Sequence, residues 1–219
     1  MHVNVLIVGA NGQIGTQVVD LLKDSDKHTP VAMVRKEEQV EEFKEKGVQT
    51  VLVDLESSVE ELESAMDNMD AVVFTAGSGG STGYDKTLLI DLDGAVKVME
   101  AAKAKGVDRF VMVSAFGADN RDYWNESIKP YYVAKHYADL YLEGSGLTYT
   151  IVRPGALTND EGTGKVRLEE AIRSGDNFDI PRADVARLLV ETLDTEAAYN
   201  KAFDVVGGDT SIKEALKSI

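Results

Sequence analysis

Short apolar runs without polar alternation recur along this chain, separated by amphipathic stretches, and that rhythm constrains the fold more than any other feature. The runs are Val3–Val8, Val31–Val34, Val48–Val53, Ala71–Thr75, Phe110–Val113, Tyr149–Val152 and Ala202–Val206. Near-continuous Val, Ile and Leu is what a strand covered on both faces requires, because neither face meets water. Between the runs lie Gln17–Leu22, Glu37–Lys46, Val59–Met66, Thr87–Lys105 and Pro130–Glu143, which read as amphipathic helices. A succession of such units closes into a parallel sheet with right-handed crossovers. The expectation is a single α/β domain over 1–219, a doubly wound, Rossmann-like parallel sheet of about seven strands with helices on both faces. Ligands bind such sheets beyond the carboxyl ends of the strands, so function is sought just after each strand.

A chain of 219 residues, 43% hydrophobic and 28% charged, can bury one sizeable core without splitting. The segments Ser78–Gly83, Ala118–Lys129 and Thr158–Gly164 are loop-like but too short to separate domains. A net charge of −15 argues against attraction to nucleic acid or anionic lipid, so an anionic ligand must be held by local positive groups. With no cysteine, disulfides, thiolate metal sites and a cysteine nucleophile are excluded. His2, His28 and His136 lack metal-ligand spacing, so no metal is expected and all three read as ordinary surface residues. No apolar run approaches the roughly 18 residues of a bilayer span, and the first strand begins within two residues of the start. The expected location is cytoplasmic.

After the first strand comes Gly9-Ala10-Asn11-Gly12-Gln13-Ile14-Gly15, followed by a helix with Ile14, Val18 and Leu22 on one face. A glycine loop at a helix N-terminus offers free N–H groups and partial positive charge to a pyrophosphate. The spacing G-x-x-G-x-x-G is one residue off the common dinucleotide fingerprint, and its place between strand and helix carries the assignment. NAD-binding folds usually present an acid about 20 residues further on, whereas an arginine there suits a 2′-phosphate. Here the second strand ends in Arg35-Lys36, which favours NADP(H) and leaves NAD possible; the other reading is a solvated basic pair balancing Glu37 and Glu38. Asp54 and Leu55, after the third strand, either contact adenine or cap the next helix.

The fifth strand runs into Ser114, either a buried hydroxyl satisfied by backbone or a group facing the crevice. Further on, Pro130 opens a helix on which Tyr131 and Lys135, at i and i+4, share a face and set a cation beside a phenol. With Phe74-Thr75-Ala76-Gly77, Arg109-Phe110-Val111-Met112-Val113-Ser114, Arg153-Pro154-Gly155 and Arg182-Ala183-Asp184-Val185-Ala186, these motifs resemble the short-chain dehydrogenase/reductase superfamily. Within it the chain is similar to the small atypical members, NmrA-like and flavin/biliverdin-reductase-like, over essentially its whole length. The resemblance implies Tyr131 as general acid/base, Lys135 as ribose ligand and the cation that lowers the tyrosine pKa, and Ser114 as the group that orients a carbonyl. It also implies that Ala76, Gly77 and Ser78 lie on the nicotinamide side and that Pro154, Gly155, Ala156 and Leu157 close over it. Asp91-Leu92-Asp93 stands where many relatives place an asparagine, a departure from the full proton relay.

A short substrate-side segment, about 156–182, leaves no room for the lid of nucleotide-sugar epimerases and implies a small-molecule substrate. Phe116, Tyr123, Trp124 and Tyr132 could line its pocket, with Trp124 equally able to pack a surface loop. The reading is an NADP(H)-dependent oxidoreductase acting on a small carbonyl or similar acceptor. The alternatives are a non-catalytic dinucleotide sensor and, third, a sugar epimerase or dehydratase. Monomer and homodimer stay open.

Overall fold

The computed structural model describes residues 2–219. In chain order it holds β1 (Val3–Val8), α1 (Gln13–Lys23), β2 (His28–Val34), α2 (Glu37–Glu45), β3 (Gln49–Leu52), α3 (Val59–Ser64) and β4 (Ala71–Phe74). A continuous helical stretch follows: α4 (Tyr84–Lys86), a π-helical segment (Thr87–Gly94) and α5 (Ala95–Lys105). Next come β5 (Arg109–Val113), α6 (Lys129–Gly144), β6 (Thr148–Pro154), β7 (Ala156–Thr158), β8 (Lys165–Glu169) and β9 (Asp179–Pro181). The chain closes with α7 (Arg182–Leu193), β10 (Lys201–Gly207), β11 (Thr210–Ser211) and α8 (Ile212–Lys217).

The main sheet runs β11-β8-β10-β6-β5-β4-β1-β2-β3, and its strands from β10 to β3 pair in parallel. Side chains alternate across it. Val5, Ile7, Val73 and Val111 face a core closed by α1, α7 and α8, while Leu6, Val8, Phe74, Phe110 and Met112 face one closed by α3, α5 and α6. Two covered faces explain the unbroken apolar runs: every residue of β4 and β5 is buried.

All seven expected strands are present, and the doubly wound architecture is as expected, but the main sheet has nine strands and β7 and β9 form a small parallel pair. The two additions, β8 and β11, pair antiparallel at one edge. In β8 charged Lys165, Arg167 and Glu169 alternate with Val166 and Leu168, the pattern of a strand wet on one side, so no apolar run marks it. The other strands missed have two or three residues each. The histidines also correct the sequence reading. His28 and His136 are both buried; His28 lies between Ser25 Oγ (3.2 Å) and Asp194 Oδ1 (3.3 Å), and His136 Nδ1 lies 2.8 Å from the Ala118 carbonyl. Polar side chains like these enter a core when the fold supplies a hydrogen-bond partner, which no spacing in the chain reveals.

Candidate active site and dinucleotide crevice

The parallel register brings the carboxyl ends of β1 to β4 together around a crevice of about 350 Å³. Gly9, Asn11, Gly12, Arg35, Asp54, Leu55, Ala76, Gly77 and Ser78 all line it. Gly9 is required by geometry. Its φ is +86°, and a Cβ there would lie 2.6 Å from the Ala76 nitrogen, so only glycine lets the loop after β1 cross the end of β4. Thr75 fastens that crossing, its N–H and hydroxyl both donating to the Val8 carbonyl at 2.8 and 3.0 Å. Gly12 is the N-cap of α1, with no side chain capping the helix, so the first N–H groups stay free for an anion at the crevice.

The other loop residues serve from behind. Gln13 is exposed at the head of α1, and Ile14 and Gly15 are buried where α1 packs on the sheet. Arg35 lines the crevice and forms no ion pair among the described residues, whereas Lys36 sits outside the lining with its ammonium 3.1 Å from Glu38. Asp54 lines the crevice while accepting the Glu56 N–H at 3.0 Å; the next helix is capped by Ser58 instead. The structure adds lining residues that were not singled out as site residues: Val8, Val34, Val53 and Thr75 at or just beyond strand ends, Gln39, and Lys86, which Glu56 holds at 2.5 Å. Position relative to the end of a parallel strand was the available signal for the first four.

The second half of the site lies at the ends of β5 and β6, outside the crevice lining. Beyond β5, Ser114 N–H and Phe116 N–H still donate to the Val152 and Pro154 carbonyls of β6, which fixes Ser114. Its hydroxyl is buried without a hydrogen-bond partner, so the backbone-satisfied alternative does not hold. On α6, Lys135 Nζ lies 5.7 Å from the Tyr131 ring centre, 3.3 Å from Asp91 Oδ1 and 3.4 Å from the Val113 carbonyl. Asp91 Oδ2 accepts the Ser78 N–H at 3.0 Å, tying this cluster to the crevice. One turn along α6, Asp139 accepts from Arg153 Nε at 2.8 Å, while its other oxygen is buried beside Ser114 without closing a hydrogen bond.

Burial pushes the Tyr131 phenol above its ordinary range; Lys135 opposes this, and Asp91 and Asp139 add to it. The expected lowering by Lys135 is therefore outweighed. Burial also acts against the Lys135 ammonium, but Tyr131 and Asp91 more than offset it, leaving the lysine raised and charged. Asp139 is raised by burial, against the pull of Arg153.

Beyond β6, Gly155 makes room for the Phe178 carbonyl, where any Cβ would collide, and Ala156 N–H donates to that same carbonyl at 2.9 Å. Phe116 and Phe178 pack with ring centres 5.2 Å apart. Trp124 stacks on Tyr132 at 6.1 Å and meets His136 edge-on at 5.3 Å, which packs its loop onto α6.

The glycine-lined approach, the free helix N-terminus and the unpaired Arg35 together fit a dinucleotide. Comparison with known proteins agrees: residues 9–196 match the NAD(P)H-binding family. The chain belongs to that family. Its fold is that of an NAD(P)-binding Rossmann protein, and its cofactor is a nicotinamide dinucleotide. It is 55% identical over 215 residues to a Bacillus subtilis protein named an uncharacterized sugar epimerase, covering 98% of this chain and 99% of the relative. It is 30% identical over 256 residues to sanguinarine reductase of Eschscholzia californica, covering 97% and 92%. A solved Bacillus halodurans structure, named for the NAD-dependent epimerase/dehydratase class, superposes with a TM-score of 0.93 at 43% identity, covering 99% of this chain and 100% of that one. Among the described residues no group of His, Asp or Glu could hold a metal, and no helix is long and apolar enough to cross a membrane.

Proposed function

We propose that this protein is an NADP(H)-dependent oxidoreductase that reduces a small carbonyl or similar acceptor. The observation that carries the reading is the Tyr131–Lys135 pair, a phenol and a buried charged ammonium on one helix face beside the unpartnered Ser114 hydroxyl. A reduced nicotinamide, when bound, supplies a hydride to the acceptor carbon. Tyr131 donates the accompanying proton, Ser114 offers its O–H to the acceptor oxygen, and Lys135 turns its remaining N–H toward the ribose.

The loop from Gly9 to Gly15, through Asn11, Gly12, Gln13 and Ile14, and the head of α1 take the pyrophosphate. Arg35 takes the 2′-phosphate through two parallel hydrogen bonds, with Lys36 able to leave Glu38 and join it. Asp54 and Leu55 flank the adenosine, while Ala76, Gly77 and Ser78 back the nicotinamide side. Pro154, Gly155, Ala156 and Leu157 close over it, and 156–182 forms the substrate side of the single domain 1–219.

Sanguinarine reductase among the relatives supports reduction. The epimerase name of the Bacillus subtilis relative favours a second reading, in which the same tyrosine and lysine serve a sugar. Against it, segment 156–182 holds only the short strands β7, β8 and β9. NADPH consumption over a panel of carbonyl acceptors tests the proposal. Tyr131→Phe should keep NADP(H) binding and lose about 10²–10⁴-fold in rate. Binding without consumption across the panel would favour a sensor, and sugar interconversion without net loss of NADPH an epimerase.

A further inference from the structure

Arg35 and Gln39 stand four positions apart where β2 passes into α2, and both line the crevice. Gln39 is half-buried, and its Oε1 accepts the Arg35 N–H at 3.1 Å. That bond decides which way round the amide lies, because a backbone N–H pairs with the amide oxygen and not with its nitrogen. Nε2, on the same carbon, keeps two N–H donors with no acceptor among the described residues. Other polar groups of the crevice wall are already engaged. The Thr75 and Thr82 hydroxyls donate to main-chain carbonyls, Ser78 Oγ meets Thr87 Oγ1 at 3.4 Å, and Lys86 is tied to Glu56. Free side-chain donors remain on Asn11 of the glycine loop, on Arg35 and on Gln39.

The charges nearby make a neutral donor at this position consequential. Glu37 and Glu38 occupy the first turn of α2, Lys36 is drawn to Glu38 at 3.1 Å, and Asp54 lines the same crevice. A phosphate arriving beside Arg35 therefore meets one unpaired cation among several carboxylates, and an amide N–H adds attraction where a carboxylate would add repulsion. A glutamate in this place would keep the Arg35 N–H contact through one oxygen and offer the other as an acceptor only. Such an acceptor suits a ribose 2′-hydroxyl and repels a 2′-phosphate. One atom, nitrogen or oxygen, separates the two cofactors. We propose that Gln39 is a specificity-determining partner of Arg35, its Nε2 donating to the 2′-phosphate of the dinucleotide while its Oε1 holds the Arg35 main chain in place. The inference rests on the NADP(H) reading of Arg35 above.

The test is calorimetry with two fragments that differ only in the 2′-phosphate, adenosine 2′,5′-bisphosphate and adenosine 5′-monophosphate. They are titrated into the wild type and into Gln39→Met, Gln39→Glu and Gln39→Lys. The wild type should bind the bisphosphate more tightly than the monophosphate. Gln39→Met loses both contacts and should weaken the bisphosphate about tenfold, whereas Gln39→Glu keeps the Arg35 contact but adds repulsion and should weaken it about 100-fold. Gln39→Lys cannot accept the Arg35 N–H yet restores a donor, so its bisphosphate affinity should return to within about threefold of the wild type. The monophosphate should bind every variant at least as tightly as about one third of the wild-type affinity, which also reports that the crevice is folded. Bisphosphate affinity unmoved in Gln39→Met overturns the proposal. So does a Gln39→Lys protein as weak as Gln39→Met, which would reduce Gln39 to a brace for the Arg35 main chain, and so does a Gln39→Glu protein no weaker than Gln39→Met. A wild type that binds the two fragments equally would instead sink the NADP(H) reading of Arg35, and this proposal with it.

Discussion

At the scale of single residues, the proposed preference for NADP(H) rests on Arg35. Its side chain is exposed on the crevice wall, its backbone N–H is taken by Gln39 Oε1 at 3.1 Å, and its guanidinium has no carboxylate partner among the described residues. A 2′-phosphate offers that guanidinium a bidentate partner in a protein whose net charge of −15 otherwise repels anions. Arg35→Asp removes the contact and adds repulsion, so NADP(H) affinity should fall about 100-fold by calorimetry, while NAD(H) binds as well or better. A wild-type preference for NAD(H) would refute the assignment. Gly12 offers an independent check. Its φ of −77° suits any residue, and a Cβ there meets only the Gly9 carbonyl, at 3.1 Å, so Gly12→Val should fold yet bind either dinucleotide poorly.

At the scale of elements, the loop before β8 is anchored by the head of α7. Asp184 is fully buried in its first turn, and its carboxylate accepts the Gly164 N–H at 2.7 Å and the Thr163 N–H and hydroxyl at 2.9 and 3.2 Å. The helix dipole favours a negative charge there. Arg182 adds a hold on the same loop through the Leu157 carbonyl at 3.2 Å and Asn159 Oδ1 at 2.9 Å. These contacts explain the Arg182-Ala183-Asp184 motif as structural. Asp184→Ala strands two backbone donors and should cost about 2–4 kcal/mol in urea unfolding, with dinucleotide affinity little changed because the crevice lies at β1 to β4. A loss below about 0.5 kcal/mol would remove Asp184 from that role.

At the scale of the whole molecule, binding and folding are linked, because a crevice assembled from four strand ends exists only in the folded chain. NADP(H) at about 100 times its dissociation constant should add about 2.7 kcal/mol and raise the melting temperature by about 5–10 °C, with NAD(H) at the same concentration giving less. No shift with either would contradict a dinucleotide site. The fold and the crevice were legible in the chain to the extent that local patterns encode them. Unbroken apolar runs mark strands covered on both faces, and the glycine loop between β1 and α1 marks the approach of backbone to phosphate. By itself the sequence determined the βα order, the parallel sheet, the glycine loop and the pairing of Tyr131 with Lys135, because each depends on residues a few positions apart. Only the tertiary structure decided that Lys86 joins the crevice, that Trp124 packs on Tyr132, and that β8 pairs at the wet edge. It alone brought Asp91, more than forty positions away, against Lys135, since burial and charge pairing across elements arise only when the helices close on the sheet.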